Sequence, residues 1–581
     1  MHERRILPTG IPPGLMQRAE PLAVLLMFSA GFVIVLSHAF VRTEDFIHRG
    51  DDAFYYFQIA ANFPENGRWT FDGIHSTNGV QPLWALILTV FAQVLNWLGV
   101  SDPPTLARIF VGLSASLHFG SCVILYRLLE RTFSTGTAIV ASGAFLFPLG
   151  IVWARVWGME NSLYGLLLLA SLWFFQFRFL ERPTTRRATA LGVLLALTAL
   201  ARLNAILFIP CLLGYYLLAG PRSGMLDRFR LSLVCGVAAS ALILPYFLFN
   251  LASTGHLLPI SGEVKSIGTD ELLRSRGIES RISPQFAWLV AQELVGPARW
   301  LVTSRVTDAF WVLGGRLVWE GLLPLGGLVA MVTVLASAPL AVGKPREWLG
   351  FLGDRYARLK PFSYVLIFAV LNAAVSAFLY PLQLSYAIVR WWLVENEIVI
   401  TVLAATLVAT SIGFIARRSI PASALKPALA GVLALLTTLY VWQAVQFYGD
   451  EEVEFRDWNA SWNDESYEAA RWLSASTPRN AVIGSWNAGV LGYYSNRRVV
   501  NLDGLINDFD LLPYLKSDDI AGYIRRERIE YLSDMGPMFE RHRLEQRMRL
   551  TEVYRHRNAL TGDDYRILRV DGPDHGSSAG L

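Results

Sequence analysis

Two adjacent carboxylates, Asp51 and Asp52, open the stretch DDAFYYFQIAANF, shortly after a strongly apolar segment. An aspartate after glycine at a helix start is an ordinary N-terminal cap, but one cap needs only one aspartate. The second carboxylate could act as a general base that takes a proton from a hydroxyl group. Both interpretations stay open, and the aromatic pattern that follows predicts an amphipathic helix in the membrane interface.

Four more polar side chains stand beside apolar runs, where they could contact a polar ligand. Glu160 in WGMENS precedes an apolar run, a place where the helix dipole suits an acid, and a solvated helix end is the simpler alternative. His75 and Asn78 lie in GIHSTNGVQP, a stretch that is also typical of a turn. His256 lies in GHLLPISGEVKS after another apolar run. We predict that these four residues bind substrate.

Three cations could surround a phosphate group. Arg202 separates two short apolar runs in ARLNA, where a cation is costly unless it faces protein or water. Lys265 stands in GEVKS, and Arg390 stands beside two tryptophans in SYAIVRWW. A buried ion pair for Arg202 and an interfacial anchor for Arg390 are the simpler alternatives. As a set, the three cations predict a site for a donor phosphate.

The composition is that of a protein embedded in a membrane. Of the 581 residues, 53% are hydrophobic and 17% are charged, and the mean hydropathy is +0.38. Soluble domains contain about 25% charged residues. The net charge of +4 gives no electrostatic support for a nucleic-acid partner. The sequence also contains no zinc-binding, P-loop or dinucleotide-binding motif.

Apolar runs long enough to cross a bilayer must position the polar residues. A crossing helix needs about 20 apolar residues, and we predict about 11 crossings. The predicted crossings are residues 21–40, 104–126, 137–155, 162–180, 188–201, 204–219, 231–250, 321–342, 363–382, 398–416 and 425–446. The further run 82–99 is predicted to lie in the interface, with Trp84 and Trp97 as anchors.

The basic loops predict how the chain is oriented. Lys and Arg concentrate in cytoplasmic loops, and five basic loops fall on one side if 82–99 does not cross the membrane. The N-terminus is then cytoplasmic, and the loops 41–103 and 251–320 lie on the outer face together with Glu160 and the tail. Connections of this length are usually functional.

The tail is predicted to be a separate domain. We expect a membrane domain over residues 1–446 and a soluble extracytoplasmic α/β domain over residues 447–581. AVIGSW, RRVVNL and YRILRV are typical of short strands. LLPYLKSDDIAGYIRRERIEYL is predicted to form one or two helices. The expected fold class is therefore an α-helical polytopic membrane protein with a small C-terminal α/β domain.

Together these motifs resemble those of GT-C glycosyltransferases, polytopic enzymes that use polyprenyl-phosphate sugars as donors. DDAFYYFQIA is similar to the family's Asp-x-x-x-Tyr pattern and puts Asp52 at the catalytic aspartate, with Asp51 beside it. GMENSLYG, ALTALARLNAILFIP and GHLLPISGEVKS are similar to its second outer loop, broken hairpin and lipid-phosphate loop. The nearest relatives look like bacterial arabinofuranosyltransferases, protein mannosyltransferases and aminoarabinose transferases. The tail lacks a WWD-type motif, so N-glycosylation of protein is not expected.

The resemblance implies an inverting glycosyltransferase of the cell membrane. It would move a sugar from a polyprenyl-phosphate donor to a hydroxyl acceptor on a glycan, lipid or protein at the outer face. A divalent metal cofactor stays open, and the resemblance assigns no ligand to one. The alternatives are a polar-lipid transporter or flippase and a non-catalytic membrane scaffold. Against a transporter, the polar residues gather at one face, and the spans show no internal repeat.

Overall fold

A computed structural model gives the structure of the chain for residues 13–37, 39, 50–146, 156–220, 224–290, 345–379, 394–396, 398–399, 401–403, 406, 458–557 and 564–571. The predicted crossings 321–342 and 425–446, most of 398–416, and the predicted domain boundary at 446 lie outside these residues. The boundary and those crossings therefore stay predictions.

Helices form the described chain up to residue 379. In order they are α1 (Pro13–Ser37), α2 (Asp51–Asn66), α3 (Pro82–Trp97), α4 (Pro103–Thr132), α5 (Thr135–Leu146), α6 (Asn161–Phe174), α7 (Thr185–Ala201), α8 (Phe208–Ala219), α9 (Met225–Thr254), α10 (Ile260–Ser275), α11 (Pro345–Ala357) and α12 (Ser363–Leu379). A π-helical turn (Phe175–Phe179) extends α6, and a 3₁₀ turn (Leu203–Leu207) precedes α8. Helix α4 packs against α5 and α6, and α7 packs along α9.

Several of these helices are apolar enough for a membrane. Within the described residues, three are also long enough to cross one: α4, α6 with its π-helical turn, and α9. The shorter apolar helices are Val24–Ser37, Pro82–Trp97, Leu203–Ala219 and Lys360–Ser376. The predicted α-helical architecture is thus confirmed, whereas the count of about 11 crossings stays a prediction.

Helix α2 begins with the two aspartates. Gly50 occupies the capping position without a side-chain hydrogen bond, and Asp51 and Asp52 form the first turn. Acidic residues in a first turn interact favourably with the helix dipole. Neither carboxylate caps α2 itself, so both side chains are available for contacts outside the helix.

Protein covers both faces of α2, and the predicted interfacial position for this helix is wrong. Phe54 and Phe57 are fully buried, and each ring lies within about 6 Å of the Tyr493 ring of the tail. On another face, Tyr55 is buried against Phe71 in an edge-to-face contact. Aromatic pairs of this kind stabilise a buried interface by about 1 kcal/mol beyond area burial. Helix α2 therefore forms the joint between membrane helices and tail.

Helix α3 spans the run that was predicted to lie in the interface. The anchoring role predicted for Trp84 is wrong, because its side chain is fully buried and its Nε1–H donates to the Gly158 carbonyl at 2.8 Å. Trp97, at the other end, is 75% exposed and fits an anchor. Burial of Trp84 instead fixes the turn that precedes Glu160.

The tail contains one mixed sheet. Helix α13 (Trp458–Ser476) precedes the strands β1 (Val482–Ser485), β2 (Arg498–Asn501), β3 (Tyr531–Met535), β4 (Leu550–Arg557) and β5 (Asp564–Val570). The strand order is β2-β1-β3-β5-β4, with β1 parallel to β2 and β3, and β5 antiparallel to its two neighbours. The connecting helices are α14 (Gly489–Tyr494), α15 (Leu512–Lys516), α16 (Ile520–Arg526), α17 (Gly536–Arg541) and α18 (Leu544–Arg547). The small C-terminal α/β domain is confirmed.

Two details of the tail differ from the sequence prediction. The predicted helical segment ends too late, since α16 ends at Arg526 and β3 begins at Tyr531. Leu532 is fully buried between β1 and β5, which is a central position in the sheet. Strand β4 was not predicted, because it lies at the sheet edge and its polar side chains do not show a buried strand pattern.

Candidate functional site

Four predicted residues from distant parts of the chain come together, and we call them the charged cluster: Asp52, Glu160, Arg202 and Lys265. The charges of Lys265 and Glu160 act on Asp52, and those of Arg202 and Glu160 act on Lys265. Helix α2, the start of α6, the break after α7 and helix α10 supply one residue each. The cluster therefore contains two acids and two cations in one electrostatic neighbourhood.

Glu160 is held by α2 and by the loop before α3. The Tyr56 hydroxyl donates to Glu160 Oε2 at 3.1 Å and accepts from the Gln81 backbone N–H at 3.0 Å. The Gln81 side-chain oxygen in turn accepts from the Leu203 N–H at 3.0 Å, directly after Arg202. This buried relay fixes Glu160 and the Arg202 segment relative to α2.

Arg202 lies at the predicted break in the helix. Its backbone is extended (φ −153°, ψ 113°), which ends α7 and lets the chain restart as a 3₁₀ turn. The guanidinium is buried, donates to Asn161 Oδ1 at 2.8 Å and lies 3.8 Å from Glu160 Oε1. It also lies over the Tyr164 ring at 5.8 Å from the centroid. Such partners offset the cost of a buried cation and fix its planar group.

Asp52 is half-buried, and the charge of Lys265 acts on its carboxylate. Burial raises the pKa of the Asp52 carboxyl, Lys265 opposes the shift and Glu160 adds to it, so the net pKa is raised. Burial lowers the pKa of Lys265, with partial opposition from Asp52. No described residue donates a hydrogen bond to the Asp52 carboxylate. Its oxygens can therefore accept a proton from an incoming group.

Asp51 contacts the tail domain. Its two carboxylate oxygens accept the backbone N–H groups of Gly489 at 2.9 Å and Val490 at 2.7 Å, at the first turn of α14. Burial raises the Asp51 pKa to about 6, although both N–H groups oppose the shift. The two adjacent aspartates thus have different surroundings. Asp51 joins α2 to the tail, whereas Asp52 belongs to the charged cluster.

A third carboxylate, Asp503, reaches this region from the tail and was not predicted from the sequence. Its Oδ2 lies 3.5 Å from the Tyr55 hydroxyl, and its Oδ1 accepts the Leu505 N–H at 2.7 Å. Burial raises the Asp503 pKa to about 7, and the charges of Asp52 and Asp51 add to the shift. The charge of Asp503 also acts on Lys265. The segment NLDGL was visible in the sequence, but nothing local showed that it would meet α2.

Close backbone contacts hold the Asp503 loop in place. A Cβ added to Gly79 would stand 1.8 Å from the Leu505 carbonyl oxygen, so only glycine fits there. On the opposite side, Gly504 has φ +83° and packs against Val264 of α10, the neighbour of Lys265. The loop is therefore clamped between the segment before α3 and the helix that carries Lys265.

Three further predicted site residues remain: Asn78, His256 and Arg390. Asn78 is buried, its Oδ1 accepts the Ile260 N–H at 3.0 Å, and its Nδ2 has no partner among the described residues. His256 stacks on Phe509 of the tail, with centroids 4.0 Å apart, and lies 3.6 Å from Glu263. Arg390 lies outside the described residues. The predicted roles of these residues stay predictions.

His75 lies in an ion-pair cluster between the first outer loop and the tail. This clasp consists of Asp72, His75, Arg498 and Glu527. His75 Nδ1 is 2.8 Å from Asp72, and its Nε2 is 3.3 Å from Glu527. Arg498 lies 3.3 Å from each of the two carboxylates. Both ring nitrogens of His75 are thus occupied by the clasp.

We expect the clasp to weaken as the pH rises. Burial lowers the His75 pKa, but Asp72, Asp508 and Glu527 outweigh it, so the folded-state pKa is raised above 6.5. The stabilisation is complete below the unfolded pKa of 6.5 and is lost as the pH rises through the folded pKa. Hydrogen exchange of β2 in nanodiscs should therefore be faster at pH 8.5 than at about pH 6.

His75→Gln should remove most of this pH dependence, because glutamine does not titrate. His556→Gln is the matched control, since His556 is exposed on β4 and lies outside the clasp. Equal pH dependence in the His75→Gln variant and the unmodified chain would contradict a clasp controlled by His75.

A metal site is not evident in the part of the chain that the structure describes. There, no group of three or more His, Cys, Asp or Glu side chains is close enough together to hold a metal ion. The charged cluster instead contains two cationic side chains, Arg202 and Lys265, that can bind an anionic ligand.

Known families match two parts of the chain. Residues 82–249 match the family described as dolichyl-phosphate-mannose-protein mannosyltransferase. Residues 454–569 match a domain of unknown function (DUF8728). The first match contains Glu160 and Arg202, and the second contains Asp503. No curated protein matches the chain at a significant level.

Solved structures of two other proteins are also similar. AglB, an oligosaccharyltransferase from Archaeoglobus fulgidus in complex with an inhibitory peptide and a dolichol-phosphate, has a TM-score of 0.49 and 12% identity, over 88% of this chain and 69% of that one. ArnT from Cupriavidus metallidurans, bound to undecaprenyl phosphate, has a TM-score of 0.49 and 13% identity, over 97% of this chain and all of that one (100%). The mannosyltransferase match over residues 82–249 agrees with the resemblance to GT-C glycosyltransferases that the sequence motifs indicate.

Proposed function

We propose that this chain is an inverting glycosyltransferase that moves a sugar from a polyprenyl-phosphate donor to a hydroxyl acceptor. The observation that carries the proposal is the charged cluster. The charges of Lys265 and Glu160 act on a half-buried Asp52 that has no hydrogen-bond partner among the described residues, and Arg202 lies 3.8 Å from Glu160. The family match over residues 82–249 supports a glycosyltransferase. The solved relatives were bound to dolichol-phosphate and undecaprenyl phosphate, respectively.

Asp52 acts as the general base. A carboxylate with a raised pKa takes up a proton more readily near neutral pH, which suits this role. The acceptor hydroxyl gives its proton to Asp52 while its oxygen bonds to the anomeric carbon. The bond from that carbon to the phosphate oxygen breaks, and the electron pair leaves with the polyprenyl phosphate. One displacement of this kind inverts the anomeric centre.

Arg202 and Lys265 stabilise the leaving phosphate. The buried Arg202 fork is oriented by Asn161 and Glu160 before any ligand arrives, so little reorganisation is needed as negative charge develops. Lys265, on α10, is near enough to Asp52 to interact with both the base and the phosphate. Arg390 is a third candidate for this role, from outside the described residues.

The tail contributes Asp503 to the acceptor side of the site. Its carboxyl has a pKa of about 7, so protonated and ionised forms are both present near neutral pH. Such a group can donate to or accept from a sugar hydroxyl. It is held beside Tyr55, three residues after Asp52 on α2. We therefore assign Asp503 to acceptor orientation and Glu160, His75, Asn78 and His256 to the surrounding ligand and docking contacts.

The site is proposed to face the outside of the cell membrane. The basic loops lie at the opposite helix ends in the predicted topology, which keeps the N-terminus cytoplasmic and the tail extracytoplasmic. No nucleotide is needed at such a site, because the activated sugar arrives already bound to the lipid phosphate.

The test is donor consumption by the full chain in nanodiscs. We expect one of a panel of polyprenyl-phosphate pentoses and hexoses to be converted to polyprenyl phosphate, and only when a cell-envelope extract is added as acceptor. Mass spectrometry would measure the released lipid and the glycosylated product. Movement of the donor across a liposome membrane with the sugar still attached would instead support a transporter. Binding of donor without either reaction would support a scaffold.

A further inference from the structure

A groove lies beside the end of α6 that is opposite to Glu160. It has a volume of about 500 Å³ and lies between α4, α6 and α7. Its walls are mostly apolar and include Val123, Ile124, Ala170 and Leu194. Arg127, Arg131 and Trp173 also line it. The groove thus combines a hydrocarbon-like surface with a cationic rim.

Two arginines lie near one aromatic ring of the groove wall: Arg131, which lines the groove, and Arg178, in the turn after α6. The guanidinium carbons of Arg131 and Arg178 each lie 5.5 Å from the centroid of Trp173, and that of Arg131 lies 5.3 Å from the centroid of Phe177. Stacking on a ring face leaves the N–H groups at the guanidinium edge free to bind an anion. Arg127 differs, since it pairs with Glu130 at 3.1 Å.

Neither Arg131 nor Arg178 has a carboxylate partner among the described residues. Two cations on one ring repel each other unless a counter-ion lies near them. A bound anion would relieve this repulsion and would form charge-assisted hydrogen bonds with both arginines. The rim is therefore complementary to a negatively charged group.

The groove also lies at a depth in the membrane that suits contact with lipid headgroups. Glu160 and Arg178 stand at opposite ends of α6, roughly 27 Å apart along the helix axis. A bilayer hydrocarbon core is about 30 Å thick. When the charged cluster lies at one membrane surface, Arg131 and Arg178 therefore lie near the other, where the predicted topology puts the cytoplasm.

We propose that this groove binds an anionic phospholipid of the cytoplasmic leaflet. The phosphate binds Arg131 and Arg178, and an acyl chain lies along the apolar wall formed by residues such as Ile124 and Leu194. The apolar walls favour a lipid over free phosphate, which has no group to bury there. The site is separate from the charged cluster, so it does not depend on the proposed transferase reaction.

The test uses the full chain and phosphatidylglycerol. Native mass spectrometry in a neutral detergent would measure the affinity for phosphatidylglycerol and for phosphatidylcholine. The double variant Arg131→Gln, Arg178→Gln should bind phosphatidylglycerol about tenfold or more weakly, because two charge-assisted contacts are lost. Arg186→Gln, at an exposed arginine of α7 outside the groove, is the matched control and should bind like the unmodified chain.

Two further measurements keep the result interpretable. Unfolding temperatures in phosphatidylcholine nanodiscs should agree between the double variant and the control, which shows that both are folded. Inorganic phosphate at millimolar concentration should not displace the lipid. Unchanged phosphatidylglycerol binding by the folded double variant would overturn the proposal, and so would displacement by phosphate or equal binding of phosphatidylcholine.

Discussion

Asp52→Asn is expected to lower the rate of sugar transfer by about 10³-fold while donor lipid still binds. Asparagine preserves the size of the side chain but cannot take up the proton of the acceptor. Phosphate binding should survive, because Arg202 keeps its contacts with Asn161 and Glu160. Single-turnover transfer from the donor identified in nanodiscs would measure the rate, and native mass spectrometry would measure bound donor.

A matched control separates loss of the base from loss of negative charge in general. Asp227→Asn removes an exposed aspartate in the first turn of α9, at the end of that 30-residue helix opposite to the one that leads into α10 and Lys265, and should transfer at the unmodified rate. Transfer by Asp52→Asn within a factor of about three of the control would rule out Asp52 as the general base, since such bases contribute at least about 10²-fold.

The sequence predicts the charged cluster because membranes make polar residues conspicuous. Arg202 stands out between two apolar runs, and Glu160 stands out at the edge of another, so both are detectable without a structure. The same contrast marks Asp51 and Asp52 at the start of α2. In an apolar chain, the ionisable residues beside the spans are few enough that each can be named as a candidate from the sequence alone.

The sequence does not predict how the tail completes this region. Asp51 and Asp52 are neighbours of the same type, and only the position of α14 shows that Asp51 is bonded to the Gly489 and Val490 N–H groups. Asp503 is separated from α2 by more than four hundred residues, and no periodicity encodes such a contact. Soluble domains also contain many charged residues, so Asp503 is not conspicuous where it stands.

A continuous series of hydrogen bonds connects α2 to the core of the tail domain. Asp534, buried at the end of β3, accepts the backbone N–H groups of Trp486 and Asn487 at 2.8 and 2.9 Å. Those residues lead directly into α14, whose first N–H groups bind Asp51. The Tyr55 hydroxyl lies 3.3 Å from the Trp486 carbonyl. A change in tail docking should therefore reach α2, and with it the neighbouring Asp52.

Gly79→Ala should disrupt this docking and lower transfer by about 10²-fold, the loss that a misplacement of about 1 Å can cause. The added methyl group would stand 1.8 Å from the Leu505 carbonyl oxygen, so the two backbones must separate. That movement would displace Asp503 from Tyr55. Transfer rate and hydrogen exchange of the 501–507 loop should change together, with faster exchange in the variant.

Gly236→Ala provides the matched control, because a Cβ at this position in α9 has no atom within 4 Å. Alanine also favours a helix over glycine, so this variant should be as stable as the unmodified chain or slightly more so. Full transfer activity in a Gly79→Ala variant with faster loop exchange would show that the reaction proceeds without the docked tail. The role assigned to Asp503 would then be wrong, while the role of Asp52 would be unaffected, since the charged cluster contains no residue of the tail.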